Sequence, residues 1–303
     1  MSEDKFQRFK SISEIYKMFG LPKPKHPLIG LVDNTVNSID FHKLSAPHIL
    51  EFYKISYKKD LKGKFKYGQN YYDFDEGGMF FASPNQVIGT DKDDGNHSGY
   101  TLLIHPDFLL TYQLSRKINT YGFFSYKTNE ALHLSDTERK TIITLFKIIE
   151  EELNEKIDDF SQDVVISQIE LLLNYSNRFY NRQFITRKAI NNTLLQRVDE
   201  ILEDYFTNKH TLDLGIPTVL YLAEQVNSSP SYLSDMLRSL TGQNAQQHIH
   251  HKLLEKAKTN LSSTELSISE IAYELGFEHP QSFSKFFKIK AGLSPVEFRK
   301  SFN

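Results

Sequence analysis

Residues 267–295 read SISEIAYELGFEHPQSFSKFFKIKAGLSP, and this stretch decides the fold of the C-terminal third of the chain. Ile268, Ile271, Ala272 and Leu275 recur at helical spacing, and Gly276-Phe277 breaks the run. Phe283, Phe286 and Phe287 then anchor a second helix that Gly292 closes. Two short helices joined by a tight turn are helix-turn-helix grammar. Glycine suits the closing position because a left-handed cap costs it little.

The grammar occurs a second time upstream. Ala223 stands 49 residues before Ala272. Leu220, Leu222, Ala223 and Val226 are expected to face inward from one short helix, and Asn227-Ser228-Ser229-Pro230 turns the chain. Leu233, Met236, Leu237 and Leu240 line the next helix, with Gly242 ending it. Between the two units Ile249, Leu253, Ala257 and Leu261 recur every four residues, which gives one buried stripe on a connecting helix. Strand signals are absent from this region, so residues 193–303 read as an all-α domain.

The rest of the chain has a different texture. From Phe19 to Leu134 Tyr and Phe are abundant, and Gly, Pro, Asn and Asp interrupt them every eight to twelve residues, the pattern of a β-rich domain. Candidate strands cover His48 to Tyr57, Gly78 to Ala82, Gly99 to Ile104 and Tyr121 to Tyr126. Asp75-Glu76-Gly77-Gly78 and Asp93-Asp94-Gly95-Asn96 are turn signals, and a short helix is expected over Pro106 to Gln113. At Ser135 the period changes: Ser135-Asp136-Thr137-Glu138 offers a capping box, followed by Ile142, Phe146, Ile149 and Leu153 at helical spacing. A second helix carries Val165, Ile169, Leu172 and Leu173. The fold class is therefore α+β multidomain. A β-rich regulatory domain spans 1–134, a helical hairpin 135–181, a linker 182–192 and the helical domain 193–303.

Composition narrows the function. The chain has 303 residues, a net charge of -2 and no cysteine, which excludes disulfides, thiolate nucleophiles and cysteine metal sites. No run reaches the roughly 18 apolar residues that a membrane span requires, and the charged N-terminus shows no secretory signal, so a cytoplasmic protein with no membrane partner is expected.

The C-terminal domain resembles the AraC/XylS family of transcription regulators. Leu222-Ala223, Tyr232-Leu233-Ser234, Thr241-Gly242, Ala257, Ser267-Ile268, Ile271-Ala272 and Leu275-Gly276-Phe277 carry the resemblance. So do Ser282-Phe283-Ser284, Phe286-Phe287-Lys288 and Gly292-Leu293-Ser294-Pro295 with Phe298-Arg299. It implies double-stranded DNA as partner and base-reading positions at Ser231, Ser234 and Asp235 on the first recognition helix. On the second they fall at Gln281, Ser284 and Lys285, with His279 at the turn. Lys285 suits guanine O6 and N7, Gln281 suits adenine, and Asp235 can accept from cytosine N4. Arg238, Ser282, Lys288 and Lys290 read as phosphate contacts, which set register without selecting sequence. Each of these exposed polar residues has a plain alternative, which is solvation.

From Thr218 to Asn303 there are nine Lys or Arg against eight Asp or Glu. Beyond Gly276 the basic excess is five to two, so the second unit is expected to supply most of the electrostatic attraction, helped by Lys252, Lys256 and Lys258. A weakly basic monomer gains from a linked second copy, which favours a homodimer. The 138–181 hairpin is the candidate interface, unless its apolar stripe is buried on its own β domain.

For the N-terminal domain the resemblance implies a cupin-like barrel that binds a small-molecule effector or mediates dimerisation, with RNA polymerase a further candidate partner. His42, His48, His97 and His105 lack the close spacing a metal centre needs, so no metal and no cofactor are expected. No nucleophile elbow, phosphate loop or paired-carboxylate motif is present, and no catalytic residue is assigned. The aromatic cluster Phe65, Tyr67, Tyr72, Phe74 and Phe80 reads as barrel core or as the wall of an effector pocket. Two other readings stay open: a cupin-like enzyme with an accessory DNA-binding tail, and an effector-independent constitutive activator.

Overall fold

The computed structural model describes the backbone of all residues except 1–5, 36–46, 60, 68–69, 75–76, 89–97, 128–129, 156–157, 159 and 303. Side chains are further undescribed at 61–67, 70–74 and 188–190. Its contacts divide the chain into two units, Met1–Gln183 and Phe184–Asn303.

The N-terminal unit runs β1 (Gln7–Phe9), α1 (Ile12–Phe19), β2 (Ile29–Asp33), β3 (His48–Leu50), β4 (Tyr53–Lys58), β5 (Leu61–Tyr67), β6 (Asn70–Phe74) and β7 (Gly78–Ala82). It continues through β8 (Val87–Ile88), β9 (Gly99–Ile104), α2 (Leu114–Lys117), β10 (Leu132–His133) and α3 (Asp136–Asn154) into α4 (Ser161–Thr186). Five strands form an antiparallel sheet in the order β10-β7-β4-β9-β2, β1-β3-β8 form a second sheet, and β5-β6 pair with each other. Among the described residues these sheets stay open rather than closing into one barrel.

The central strand β4 sets Ile55 opposite Leu102 on one side and Phe81 on the other. Helices cover both faces of the large sheet. On one face, Ile12, Ile15 and Tyr16 of α1 pack with Val32 and Leu103. On the other, Tyr100 stacks on Phe146 of α3 with ring centroids 5.5 Å apart. A sheet covered on both faces does not need strict alternation; β9 (GYTLLI) accordingly carries the apolar run Leu102-Leu103-Ile104, whereas β4 (YKISYK) still alternates.

The capping box at Ser135 forms as expected, with Glu138 N–H donating to Ser135 and Ser135 N–H to Glu138. Arg182 Nε donates to Glu138 at 2.9 Å, and its guanidinium reaches the His133 carbonyl at 2.8 Å. The end of α4 is thereby tied to the start of α3. The apolar stripe of this hairpin, Ile142, Phe146, Ile149, Ile169, Leu172 and Leu173, is buried within its own unit. What the hairpin leaves exposed is a thinner line, Ile148, Phe160, Val164 and Leu171.

Three expectations are corrected. Tyr121 to Tyr126 is no strand; residues Gly122–Ser125 form a 3-10 turn. Its successive Phe123 and Phe124 are both buried, an arrangement that a strand's two-residue alternation forbids on one face. The 182–192 linker is helical, since α4 continues to Thr186 and α5 (Lys188–Thr207) starts after a single non-helical residue, Arg187. Buried Asn191 donates to the Phe184 carbonyl at 2.6 Å, occupying an acceptor near the break. Leu220 faces outward, 57% exposed.

The C-terminal unit continues with α6 (Thr211–Leu214), α7 (Val219–Gln225), α8 (Pro230–Thr241), α9 (Ala245–Ser263), α10 (Ile268–Glu274), α11 (Pro280–Ala291) and α12 (Pro295–Lys300). The expected stripe of α9, Ile249, Leu253, Ala257 and Leu261, is buried, and α9 packs against α7, α8, α10, α11 and α12.

Candidate nucleic-acid interface

The two helix-turn-helix units repeat in atomic detail. In the first, Thr218 caps α7, Asn227 turns at φ 54°, and Ser228 N–H donates to the Ala223 carbonyl at 2.8 Å. In the second, Ser267 caps α10, Gly276 turns at φ 86°, and Phe277 N–H donates to the Ala272 carbonyl at 3.0 Å. Each later helix opens on a proline at its first position, Pro230 or Pro280, where the missing N–H is no loss. Each ends on a left-handed glycine, Gly242 or Gly292.

The offset is 49 residues up to the turn and 50 from Pro230 and Pro280 onward. Ser231 thus corresponds to Gln281, Ser234 to Ser284, Asp235 to Lys285 and Arg238 to Lys288. Leu233 and Leu237 are buried beneath α8, as Phe283 and Phe287 are beneath α11. The outer faces follow from that anchoring: Gln281, Ser282, Lys285, Lys288 and Lys290 are exposed on α11, and Ser284 is half-buried. His279 is the exposed residue preceding α11 and makes no side-chain cap. On α8, Ser231, Ser234 and Asp235 are half-buried and Arg238 is exposed.

The charges divide unevenly. Arg238 pairs with Asp235 one turn before it at 3.1 Å, so the sole cation of the first unit lies beside a carboxylate. Of the lysines expected to help from α9, Lys252 reaches Glu203 of α5 at 2.8 Å and Lys256 binds the same carboxylate, while exposed Lys258 stands over the Phe298 ring. These two lysines hold the Glu203 carboxyl down to about 2. Lys252 and Lys256 are thus half-buried in ion pairs, whereas Lys285, Lys288 and Lys290 form the exposed basic strip of α11. His250 of α9 meets Phe286 edge-on with centroids 5.4 Å apart, and burial, then the Lys290 charge, lowers its pKa.

Spacing alone did not reveal the support beneath the second turn. Thr211, buried, donates to the Glu274 carbonyl at 2.5 Å, and Lys209 pairs with the Glu274 carboxylate at 2.9 Å. Tyr205 donates to the Gly215 carbonyl at 3.0 Å. A β-carbon on Gly276 would fall 2.7 Å from the Gly215 carbonyl carbon. None of these partners of the turn carries helix-turn-helix periodicity, so hydrophobic spacing could not find them.

Of the candidate effector-pocket residues, the side chains of Phe65, Tyr67, Tyr72 and Phe74 lie outside the described residues, as do His42, His97 and the 93–96 turn. Phe80 is half-exposed, with the Lys58 ammonium 5.3 Å from its ring centroid. Among the described residues no cluster of three or more His, Asp or Glu is placed to hold a metal, and no helix is long and apolar enough to cross a membrane.

Two units repeated with the same caps, turn and anchoring residues and joined by a single helix define a tandem helix-turn-helix domain. Residues 222–301 match the family model described as "Helix-turn-helix domain". The C-terminal domain belongs to the AraC type of that family. Among curated relatives, the chain is 35% identical to the Msm operon regulatory protein of Streptococcus mutans over 79 residues, 26% of this chain and 28% of that one. It is 28% identical to the transcriptional activator RhaS of Escherichia coli over 151 residues, half of each chain. A solved relative is the C-terminal domain of the response regulator yesN from Fusobacterium nucleatum. It is 32% identical, with 34% of this chain and 95% of that one covered and a TM-score of 0.31. The chain spans between 10% and 63% of the length of the curated relatives it matches.

Proposed function

We propose that this chain is a sequence-specific DNA-binding transcription regulator whose two recognition helices do unequal work. The observation that carries the reading is the repeat itself: α8 and α11 are anchored by corresponding residues and present polar outer faces, one charge-neutralised by Asp235 and the other basic. Lys285 and Gln281 read base edges from α11, with Ser284 beside them and His279 at its entry. Ser282, Lys288 and Lys290 hold phosphates. Ser231, Ser234 and Asp235 contribute selectivity from α8, and Arg238 reaches phosphate only at the expense of its pairing with Asp235.

The N-terminal domain modulates this binding through an effector or through dimerisation. The exposed line Ile148, Phe160, Val164 and Leu171 supports the hairpin as the dimer contact. RNA polymerase is the further partner, and residues 1–134, 135–181 and 193–303 are the working regulatory, dimerisation and DNA-binding segments.

The test is selection of bound duplexes from a random pool with the full chain, followed by gel shift. Lys285→Ala should weaken binding to the selected duplex by about 1–3 kcal/mol and relax preference at one base pair. Unchanged affinity and preference would remove Lys285 from base reading. Failure to enrich any duplex would remove the function.

A further inference from the structure

Tyr205 lies outside the segment that matches the family model, yet it touches the first helix-turn-helix unit and the loop on which the turn of the second unit rests. Its buried ring meets Tyr221 of α7 edge-on at 5.0 Å, which places it against the first unit. Its hydroxyl donates to the Gly215 carbonyl, and the Gly215 backbone is the surface on which the Gly276 turn of the second unit rests. Beside that contact, the Thr211 hydroxyl and the Lys209 ammonium both hold Glu274, the last residue of α10. A turn held at its carbonyl, its carboxylate and its bare α-carbon fixes the direction in which the following helix leaves.

We propose that Tyr205 is a positioning residue that couples the two recognition helices. Its ring registers α5 on the first unit, while its hydroxyl, acting with Thr211 through the 209–216 loop, sets the exit of α11 from the second turn. The inference rests on the DNA-binding reading but concerns the protein's own geometry, so it can be tested with and without DNA. Tyr205→Phe keeps the ring and deletes the hydroxyl, and Thr211→Val deletes the other donor at nearly constant volume.

Backbone hydrogen exchange of the full chain without DNA tests the coupling directly. Tyr205→Phe should speed exchange in residues 275–279 about five-fold, as expected for the loss of one hydrogen bond, and leave residues 226–230 unchanged. Thr211→Val should do the same, with Thr211→Ser restoring the wild-type rate. Equal rates in wild type and Tyr205→Phe at 275–279, or equal acceleration at both turns, would overturn the proposal, the second outcome marking a merely structural role. With a duplex selected by the wild-type chain from a random 30-base-pair pool, footprints of both variants should keep the segment covered by α8 and lose protection under α11. If both segments stay protected, the positioning role falls. If the wild type enriches no duplex, the DNA-binding reading falls while the exchange result still decides the coupling.

Discussion

Gly276→Ala separates two costs that usually arrive together. A left-handed residue with a β-carbon costs about 1–2 kcal/mol. That is the whole expected cost at Gly242, with φ 77° and nothing within 4 Å of an added β-carbon, and at Gly292, with φ 80° and equally open surroundings. At Gly276, φ is 86° and the added carbon would lie 2.7 Å from the Gly215 carbonyl carbon and 2.8 Å from the Ile216 nitrogen. Those atoms are backbone and cannot rotate away, so the overpacking adds a further 1–3 kcal/mol, roughly. Urea unfolding of the full chain, followed by far-UV circular dichroism, should therefore rank Gly276→Ala about 1–3 kcal/mol below both control variants, which should agree with each other. If Gly276→Ala and Gly242→Ala unfold within about 0.5 kcal/mol of one another, the contact between the two backbones does not constrain the turn, and the argument built on it fails.

Other outcomes follow from the charges and caps. Asp235→Asn removes the partner of Arg238, so affinity should rise on all duplexes and the logarithmic salt slope should steepen by about 0.9, while base discrimination at one position declines; gel shifts across a salt series check this. Glu203→Gln should cost about 1 kcal/mol at neutral pH after allowance for the half-exposed carboxylate. Because Glu203 is held down to about 2, its contribution is full above its ordinary value of 4.5 and disappears as pH falls through 2, so the wild-type advantage in urea should shrink along that path. Glu150 behaves in the opposite sense. Burial, then the nearby Asp33 and Glu151, raises its carboxyl, so the charged form weighs on the fold as pH rises above 4.5. Glu150→Gln should stabilise the protein by about 0.5 kcal/mol at pH 7 and by nothing at pH 3. Ser135→Ala should lose about 1 kcal/mol by removing the cap of α3, seen as a lower urea midpoint.

The helical domain was legible because its signals are local. Leu233 and Leu237 against Phe283 and Phe287 show the repeat by spacing, the glycines at 242, 276 and 292 mark left-handed positions, and the prolines at 230 and 280 mark helix starts. The β-rich domain was legible in outline: β7 and β9 coincide with the expected runs Gly78 to Ala82 and Gly99 to Ile104. Tyr121 to Tyr126 misled because aromatic residues favour strands only where their side chains can alternate. The 182–192 segment misled because a helix held by tertiary contacts does not need a long amphipathic stripe.

At the interface, residue types identified the outward positions, whereas the pairing of Asp235 with Arg238 and the capture of Lys252 and Lys256 by Glu203 depend on which charges the fold brings together. Isolated charges in a sequence carry no such information. Tyr205, Thr211 and Gly215 are further from legibility, since their partners lie 10 to 63 residues away and are backbone carbonyls or a bare α-carbon.

The loop from Lys209 to Ile216 also bears on how this domain can be transplanted. A chimera cut at residue 217 would carry both complete helix-turn-helix motifs and leave behind Tyr205, Thr211 and Gly215. Such a graft would inherit the letters the protein reads without the geometry that spaces them. The smallest portable reader therefore begins upstream of α5, near residue 184, and exchanges between relatives that respect this longer boundary are the ones that should keep their specificity.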